Sequence, residues 1–234
     1  MNELAILMLS AASLGFIHTI LGPDHYLPFI VLSRARKWSQ RKTLWITLIS
    51  GIGHVGSSVF IGFIGIAMGI SLTKLEAIES YRGEIVAYLL IVFGLLYSIY
   101  GIYKVVNNGG HVHFPSFLKP KSIRNHHHGD LNDADKIEKE VNITPWILFL
   151  IFVFGPCEVL IPMLLFPALE FNFVGVIAVA LVFGITTILT MLLIVYQAYR
   201  GVGLLNLGKK EKYMHLLAGL VILISGVGIQ FMGW

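Results

Sequence analysis

The 234-residue sequence has few charged residues and a single cysteine. Only 13% of its residues are charged, whereas 56% are hydrophobic, and soluble domains average ~25% charged residues. So few charges cannot coat a soluble globule of this size, which excludes a soluble enzyme, a disordered chain and a nucleic-acid-binding domain. The mean hydropathy of +0.79 predicts instead an integral membrane protein in contact with lipid.

With Cys157 as its only thiol, the chain can form neither an internal disulfide nor an internal two-thiol redox relay. The N-terminal apolar run also lacks the basic residues that begin a signal peptide, since its first charge is Glu3. We therefore expect this run to be retained as a membrane span.

Long apolar runs are abundant, and six of them approach the ~20 residues that a transmembrane helix needs. The predicted spans lie at 4–33, 43–70, 85–106, 145–169, 172–199 and 213–233. Gly22-Pro23-Asp24-His25 interrupts the first span and Gly155-Pro156-Cys157-Glu158 interrupts the fourth. The prediction is an all-α membrane protein with six transmembrane helices, of which helices 1 and 4 are interrupted.

The basic residues are distributed unevenly between the predicted loops. Of the 17 Lys and Arg residues, 15 lie in segments 34–42, 104–144 and 200–212, and the remaining two are Lys74 and Arg82. Because basic loops stay in the cytoplasm, we expect both termini outside and loop 107–144 inside, in the plasma (inner) membrane.

The two halves of the chain share a pattern of helix interruptions. Each has Gly-Pro followed by two polar residues and then a further proline, Pro28 in the first half and Pro162 in the second. Because the halves start on opposite sides, the similarity predicts a 3+3 inverted repeat, and paired interruptions of this kind point to a transporter's central site. The predicted domains are repeat one at 1–106, the loop at 107–144 and repeat two at 145–234.

Several potential metal ligands fall near the middle of the predicted spans, where a charged group costs ~2.5–3.5 kcal/mol and usually marks a substrate path. Imidazole, carboxylate and thiolate groups together bind divalent transition metals. Structural roles stay open as alternatives: a helix-packing hydrogen bond for His54, neutralisation of a histidine by Asp24, and apolar packing for Cys157. The candidate metal ligands are His18, Asp24, His25, His54, Cys157 and Glu158.

The loop between the two halves carries five more histidines, which predict a cytoplasmic metal-gathering segment or, alternatively, a solvated linker. They are His111, His113, His126, His127 and His128. His215, near the start of the last span, is expected to be interfacial.

The stretch His18-Thr19-Ile20-Leu21-Gly22-Pro23-Asp24-His25, with Gly51-Ile52-Gly53-His54, resembles the NicO/UreH-like nickel/cobalt transporter superfamily. The resemblance implies six or more spans, a midplane metal site and movement of nickel or cobalt. It assigns the site to His18, Asp24, His25 and His54. Five residues separate His18 from Asp24, where the importer signature has four, so the resemblance leaves the metal and the direction open.

The second half is similar to a different group. Gly155-Pro156-Cys157, followed by Pro162, resembles the membrane thiol–disulfide carriers of the cytochrome c biogenesis and DsbD type. Those carriers use one cysteine from each half, and this chain lacks the second. The similarity therefore implies a shared architecture rather than electron relay.

The sequence thus predicts a transporter rather than an enzyme. It would move a divalent transition metal (nickel, cobalt or zinc) as substrate, by alternating access, with no permanently bound cofactor and export favoured over import. Membrane lipid, a cytoplasmic metallochaperone and a second copy of the chain are the expected partners, and nucleic acid is not. Two alternatives remain: a carrier of a small sulfur-containing anion, disfavoured because no Arg or Lys was placed at mid-depth, and a membrane enzyme using Cys157 or a metal.

Overall fold

The computed structural model describes residues 3–106, 144–157, 159–170, 172–203 and 213–232. All regular structure in these ranges is helical, as predicted. Residues 107–143, which include the five loop histidines, lie outside the described residues. The helices are α1 Glu3–Leu21, α2 Leu27–Ala35, α3 Gln40–Ala67, α4 Leu72–Val106, α5 Thr144–Phe154, α6 Leu160–Glu170, α7 Asn172–Gly203 and α8 Met214–Met232, with a 3-10 turn at Pro23–His25.

Five helices (α1, α3, α4, α7 and α8) are long and apolar enough to cross a membrane, which confirms an integral membrane protein. The predicted fourth span consists of α5 and α6, of 11 residues each. At ~1.5 Å per residue, each covers only about half of a ~30 Å hydrocarbon core. The five long helices are therefore established, whereas a sixth crossing would need α5 and α6 to act together.

Local signals set the ends of α3. The Ser39 hydroxyl accepts a hydrogen bond from the Lys42 N–H at 3.3 Å, which caps the first turn. At the other end Gly69 adopts a positive φ of 65°, and Ile70 N–H donates to Gly65 O at 2.9 Å. These caps place the helix close to the predicted span 43–70.

The helix that contains the third predicted span begins well before residue 85. Helix α4 begins at Leu72 and continues without a break to Val106. Glu79 and Arg82 ended the apolar run in the sequence, but glutamate and arginine are good helix formers. Their side chains also pair with each other inside the protein, so their charges do not interrupt the helix.

Helices α4 and α8 pack with their backbones in close approach along a line of glycines, here called the α4–α8 seam. Residues later in α4 contact residues earlier in α8, so the two helices are antiparallel. A Cβ added to Gly226 would lie only 2.8 Å from Ile91 N, which is too close for a side chain at this position unless the backbone moved. The contacts are Gly94 with Leu223, Gly101 with Leu216, Ser98 with Gly219, and Ile91 with Gly226.

Substituting Gly101 with alanine should destabilise the protein, because the new methyl group would meet the backbone of Leu216, which cannot move without separating the helices. Overpacking typically costs ~1–3 kcal/mol. We expect a clear fall in the unfolding temperature measured in detergent. Gly56→Ala is the matched control: it lies within α3, and a Cβ there meets no described heavy atom within 4 Å. Equal behaviour of the two variants would contradict the tight seam.

The two parts of the first predicted span pack on different neighbours. Helix α1 contacts α7, whereas α2 contacts mainly α8, and the intervening turn also touches α8. Helix α3 packs on α5 and α7, and runs antiparallel to α7 because Gly51 contacts Ile188 while Gly184 contacts Val55. The interruption between α1 and α2 therefore lies where the chain passes from its contacts with α7 to its contacts with α8.

Candidate metal centre

The break after α1 is a short turn centred on Pro23. Proline has no backbone N–H and favours a helix end, and α1 stops at Leu21. The turn is closed by the His25 N–H, which donates to Gly22 O at 3.1 Å, and by the Tyr26 N–H, which donates to Pro23 O at 3.3 Å. The Tyr26 hydroxyl donates to Ile20 O at 3.1 Å and so satisfies one carbonyl freed by the break. The predicted interruption of the first span is thus observed.

The His25 ring folds back over the end of α1. This requires glycine at position 22, because a Cβ there would lie 2.6 Å from His25 Nδ1. His25 Nδ1 lies 3.1 Å from both Gly22 O and Asp24 Oδ1. Both partners are acceptors, so Nδ1 carries a proton, and in the neutral form of the ring the lone pair would lie on Nε2.

Three imidazoles converge beside this turn: His18 from α1, His25 from the turn and His54 from α3. The His25 ring centroid lies 4.7 Å from that of His18 and 5.0 Å from that of His54. One ring nitrogen from each residue lies within 4.8 Å of the others. A tetrahedral ion at ~2.0–2.1 Å from each nitrogen needs a spacing of about 3.3 Å. Small movements of the side chains would bring the nitrogens to this spacing. His18, His25 and His54 are here called the histidine cluster.

The histidine cluster has spare ligand atoms. The Nε2 atoms of His18, His25 and His54 are all buried, and none has a hydrogen-bond partner within the described ranges. An unpaired buried polar group costs ~1–3 kcal/mol. Phe183 and Phe152 flank the cluster, with ring centroids 6.4 Å from His18 and 6.1 Å from His54. Three converging unpaired nitrogens between apolar walls are the arrangement expected where a bound ion would satisfy them.

The structure separates Cys157 from this cluster. Its side chain is fully buried and packs with Val55, Leu160 and Leu164 in an apolar cluster. Cys157 does not belong to the group of potential ligands formed by the three histidines. Glu158 lies outside the described residues. Of the six predicted ligands, the structure therefore brings together His18, Asp24, His25 and His54.

Sequence reasoning missed a buried ion pair near the second break. Glu79, which is 0% exposed, pairs with Arg82 one turn later on α4. Glu79 Oε2 also accepts hydrogen bonds from the Ser58 hydroxyl at 2.9 Å and from the Cys157 N–H at 3.0 Å. The carboxylate thus ties α3, α4 and the segment between α5 and α6 together.

Arg82 completes this network from the other side. Its guanidinium donates to Ser57 Oγ at 2.8 Å, to Val153 O at 3.1 Å and to Gly155 O at 3.2 Å. The last two carbonyls belong to the end of α5, where the helix leaves them without intrahelical donors. The sequence had placed Arg82 in an external loop. Its i,i+3 spacing from Glu79 was the one signal that the two side chains could pair.

A cavity of about 450 Å³ adjoins the histidine cluster. Two carboxylates, those of Asp24 and Glu84, line it, and within the described residues no Lys or Arg does. Ser80 and Glu84 are exposed, so the cavity is open at the end of the bundle where α4 begins and α8 ends. Its lining includes the histidine cluster, Asp24, Ser80, Glu84, Gly155 and Gln230.

The family model for the transmembrane region of cytochrome c biogenesis proteins matches residues 27–228. The chain belongs to this family. The match spans α2 to most of α8 and includes both His54 and Cys157, which confirms the architecture implied by the Gly155-Pro156-Cys157 resemblance. It begins after His18, Asp24 and His25. No curated protein and no solved structure matches the chain.

The family match concerns the architecture, and an electron relay between two thiols within this chain is not available to it. Exchange of electrons between two protein thiols needs a second cysteine, and this 234-residue chain has only Cys157. The described residues instead offer a site built from imidazole nitrogens.

Proposed function

We propose that the protein transports a divalent transition metal ion, with Ni²⁺ or Co²⁺ as the preferred substrate and Zn²⁺ as a further candidate. The observation that carries this proposal is the histidine cluster at a helix break: one ring nitrogen from each of the three residues lies within 4.8 Å of the others, and the buried Nε2 atoms have no hydrogen-bond partner among the described residues. Imidazole suits nickel, zinc and related ions, whereas magnesium and calcium prefer oxygen ligands.

In this proposal His18, His25 and His54 bind the ion directly. Asp24 acts through His25, because its carboxylate accepts the Nδ1 hydrogen bond that directs Nε2 towards the site. Metal-binding histidines commonly have such a carboxylate or carbonyl partner, and losing it costs ~10–100-fold in metal affinity. Cys157 has no role as a ligand, since its side chain packs in an apolar cluster.

The proposed transport mechanism is alternating access around the two breaks, at Gly22-Pro23 and Gly155-Pro156. It uses six crossings in a 3+3 inverted arrangement, with α1–α2 and α5–α6 as corresponding broken spans. The distribution of basic residues between the loops favours both termini outside. Export is favoured because the five loop histidines would collect metal on the cytoplasmic side, where a metallochaperone could also deliver it.

The carrier of a sulfur-containing anion is the weaker alternative. The cavity carries two carboxylates, and no Lys or Arg is among its described lining residues. Arg82, the cation nearest to the second break, is neutralised by Glu79. An anion would therefore meet a negative cavity, whereas a divalent cation would be attracted to it.

The test is flux in reconstituted vesicles that enclose a metal-sensitive fluorescent indicator. We expect Ni²⁺ and Co²⁺ to cross faster than in protein-free vesicles, and Cys157→Ala to transport as well as the unaltered protein. A variant lacking residues 107–130 should still bind about one Ni²⁺ per chain, since the transmembrane histidines remain. Sulfite flux without metal flux would contradict the proposal, and abolition of metal flux by Cys157→Ala would favour the cysteine-dependent alternative.

A further inference from the structure

We propose that Glu84 and Gln230 form a second cation-binding station at the open end of the cavity. The ion would pass through it between the histidine cluster and the outer aqueous phase. This inference rests on the proposed metal transport and adds the route by which the ion enters or leaves the site. Its ligands would be oxygen atoms, unlike the nitrogen ligands of the histidine cluster.

One continuous cavity joins the two positions. It is lined by the histidine cluster at one end and by Ser80, Glu84 and Gln230 at the other. The antiparallel α4–α8 seam explains why residues so distant in sequence meet there. The beginning of α4 and the end of α8 lie side by side, so Glu84 and Gln230 face the same space. An ion leaving the histidine cluster in this direction would meet both side chains as part of the cavity lining.

Gln230 has an acceptor atom to spare. Its Oε1 is buried and has no hydrogen-bond partner in the described part of the chain. The other polar side chains of α8 are occupied: Ser225 donates to Val221 O at 3.0 Å, and His215 is bonded to Tyr97 and Lys104. A buried amide oxygen left unpaired inside a helix bundle is costly, and a cation would satisfy it.

Glu84 supplies charge that its neighbours do not cancel. No ion pair involves it among the described residues, and it is exposed at the mouth of the cavity. Arg82, two residues earlier, points to Glu79, Ser57 and the carbonyls of α5 instead. With Asp24 deeper inside, the carboxylates give the route a negative potential over its length.

The order of ligands suggests how the protein would select its substrate. Carboxylate and amide oxygens hold many hydrated divalent cations weakly, including Mg²⁺ and Ca²⁺. Imidazole nitrogens favour the transition metals. The outer station would therefore concentrate divalent cations, and the histidine cluster would discriminate among them.

The decisive experiment measures two quantities for each variant: Ni²⁺ bound per chain in detergent, and the Ni²⁺ concentration that gives half-maximal flux in vesicles. In Glu84→Gln we expect bound Ni²⁺ to remain near one per chain. The half-maximal concentration should rise about tenfold, the scale of one charge acting over roughly 10 Å in a partly hydrated cavity. Gln230→Leu should show a smaller rise in the same direction. Glu76→Gln is the matched control, because Glu76 is exposed on α4 and does not line the cavity.

Accessibility provides an independent measurement. Glu84→Cys in a Cys157→Ala background leaves one thiol, which a membrane-impermeant reagent added outside should modify, and Ni²⁺ should slow that modification. The outer station would be overturned if Glu84→Gln bound Ni²⁺ normally and its flux were unchanged. It would also be overturned if Glu84→Cys were modified from the inner side only. Neither result would affect the histidine site. Absence of Ni²⁺ binding by the unaltered protein would instead overturn the proposed function and this inference together.

Discussion

Replacing His54 with alanine should abolish stoichiometric binding of Ni²⁺ or Co²⁺. His54 supplies one of the three converging imidazoles and is the one contributed by α3. Its removal leaves two ligands, both from the first interrupted span, so we expect affinity to fall roughly a hundredfold or more, beyond the 10–100-fold typical of losing an outer partner. Equilibrium dialysis followed by mass spectrometry of bound metal measures this directly, and thermal unfolding in detergent reports whether the variant remains folded.

The matched control is His215→Gln. His215 is also a buried histidine in a transmembrane helix, but its Nδ1 is bonded to the Tyr97 hydroxyl and its Nε2 to Lys104 Nζ, both at 3.0 Å. Its substitution should leave metal binding unchanged. The metal affinity of Asp24→Asn should lie between those of His54→Ala and His215→Gln, with a reduction of ~10–100-fold. Full binding by folded His54→Ala, or equal losses in His54→Ala and His215→Gln, would exclude the histidine cluster as the metal site.

Replacing Arg82 with methionine should lower the free energy of unfolding by ~3–5 kcal/mol, the cost of leaving one partner of a buried ion pair uncompensated. Glu79 is fully buried, so its charge would remain without a cation. The carbonyls of Val153 and Gly155 would also lose their donor at the end of α5. Denaturant titration in detergent, followed by circular dichroism, measures the change.

Two further variants distinguish the loss of stability caused by breaking the ion pair from the effect of removing any basic residue. Lys74→Met removes an exposed charge from the same helix and should change stability by less than ~1 kcal/mol. The double variant Glu79→Gln/Arg82→Met removes both charges and should recover part of the loss. A double variant that is less stable than Arg82→Met would show that the uncompensated charge is not the cause.

The spans were predictable because the bilayer requires long apolar runs. Proline and glycine also marked both breaks, and Gly22-Pro23 does end α1. The similar depth of His18, His25 and His54 could be read from their positions within the predicted spans, and the structure places these rings together. The contact between His18 and His25 depends on the break after Leu21, which folds the His25 ring back over the end of α1.

The rest depends on the direction of side chains at irregular positions. Cys157 follows Gly155-Pro156, where no helical periodicity indicates its direction, and its side chain points into an apolar cluster. Arg82 was assigned to a loop because hydropathy counts its charge and cannot detect the partner that neutralises it. Glu84 and Gln230 belong to different halves of the sequence, and only the antiparallel α4–α8 seam brings them to one cavity.

The same seam restricts how this bundle can move. Its glycines recur every seven residues, at Gly94 and Gly101 on α4 and at Gly219 and Gly226 on α8. If α4 slid along α8, leucine side chains would meet backbone until the pattern matched again about 10.5 Å away, at ~1.5 Å per residue. In the proposed transport cycle this pair would therefore keep its register, and the rotation would involve the helices on either side of the two proline breaks.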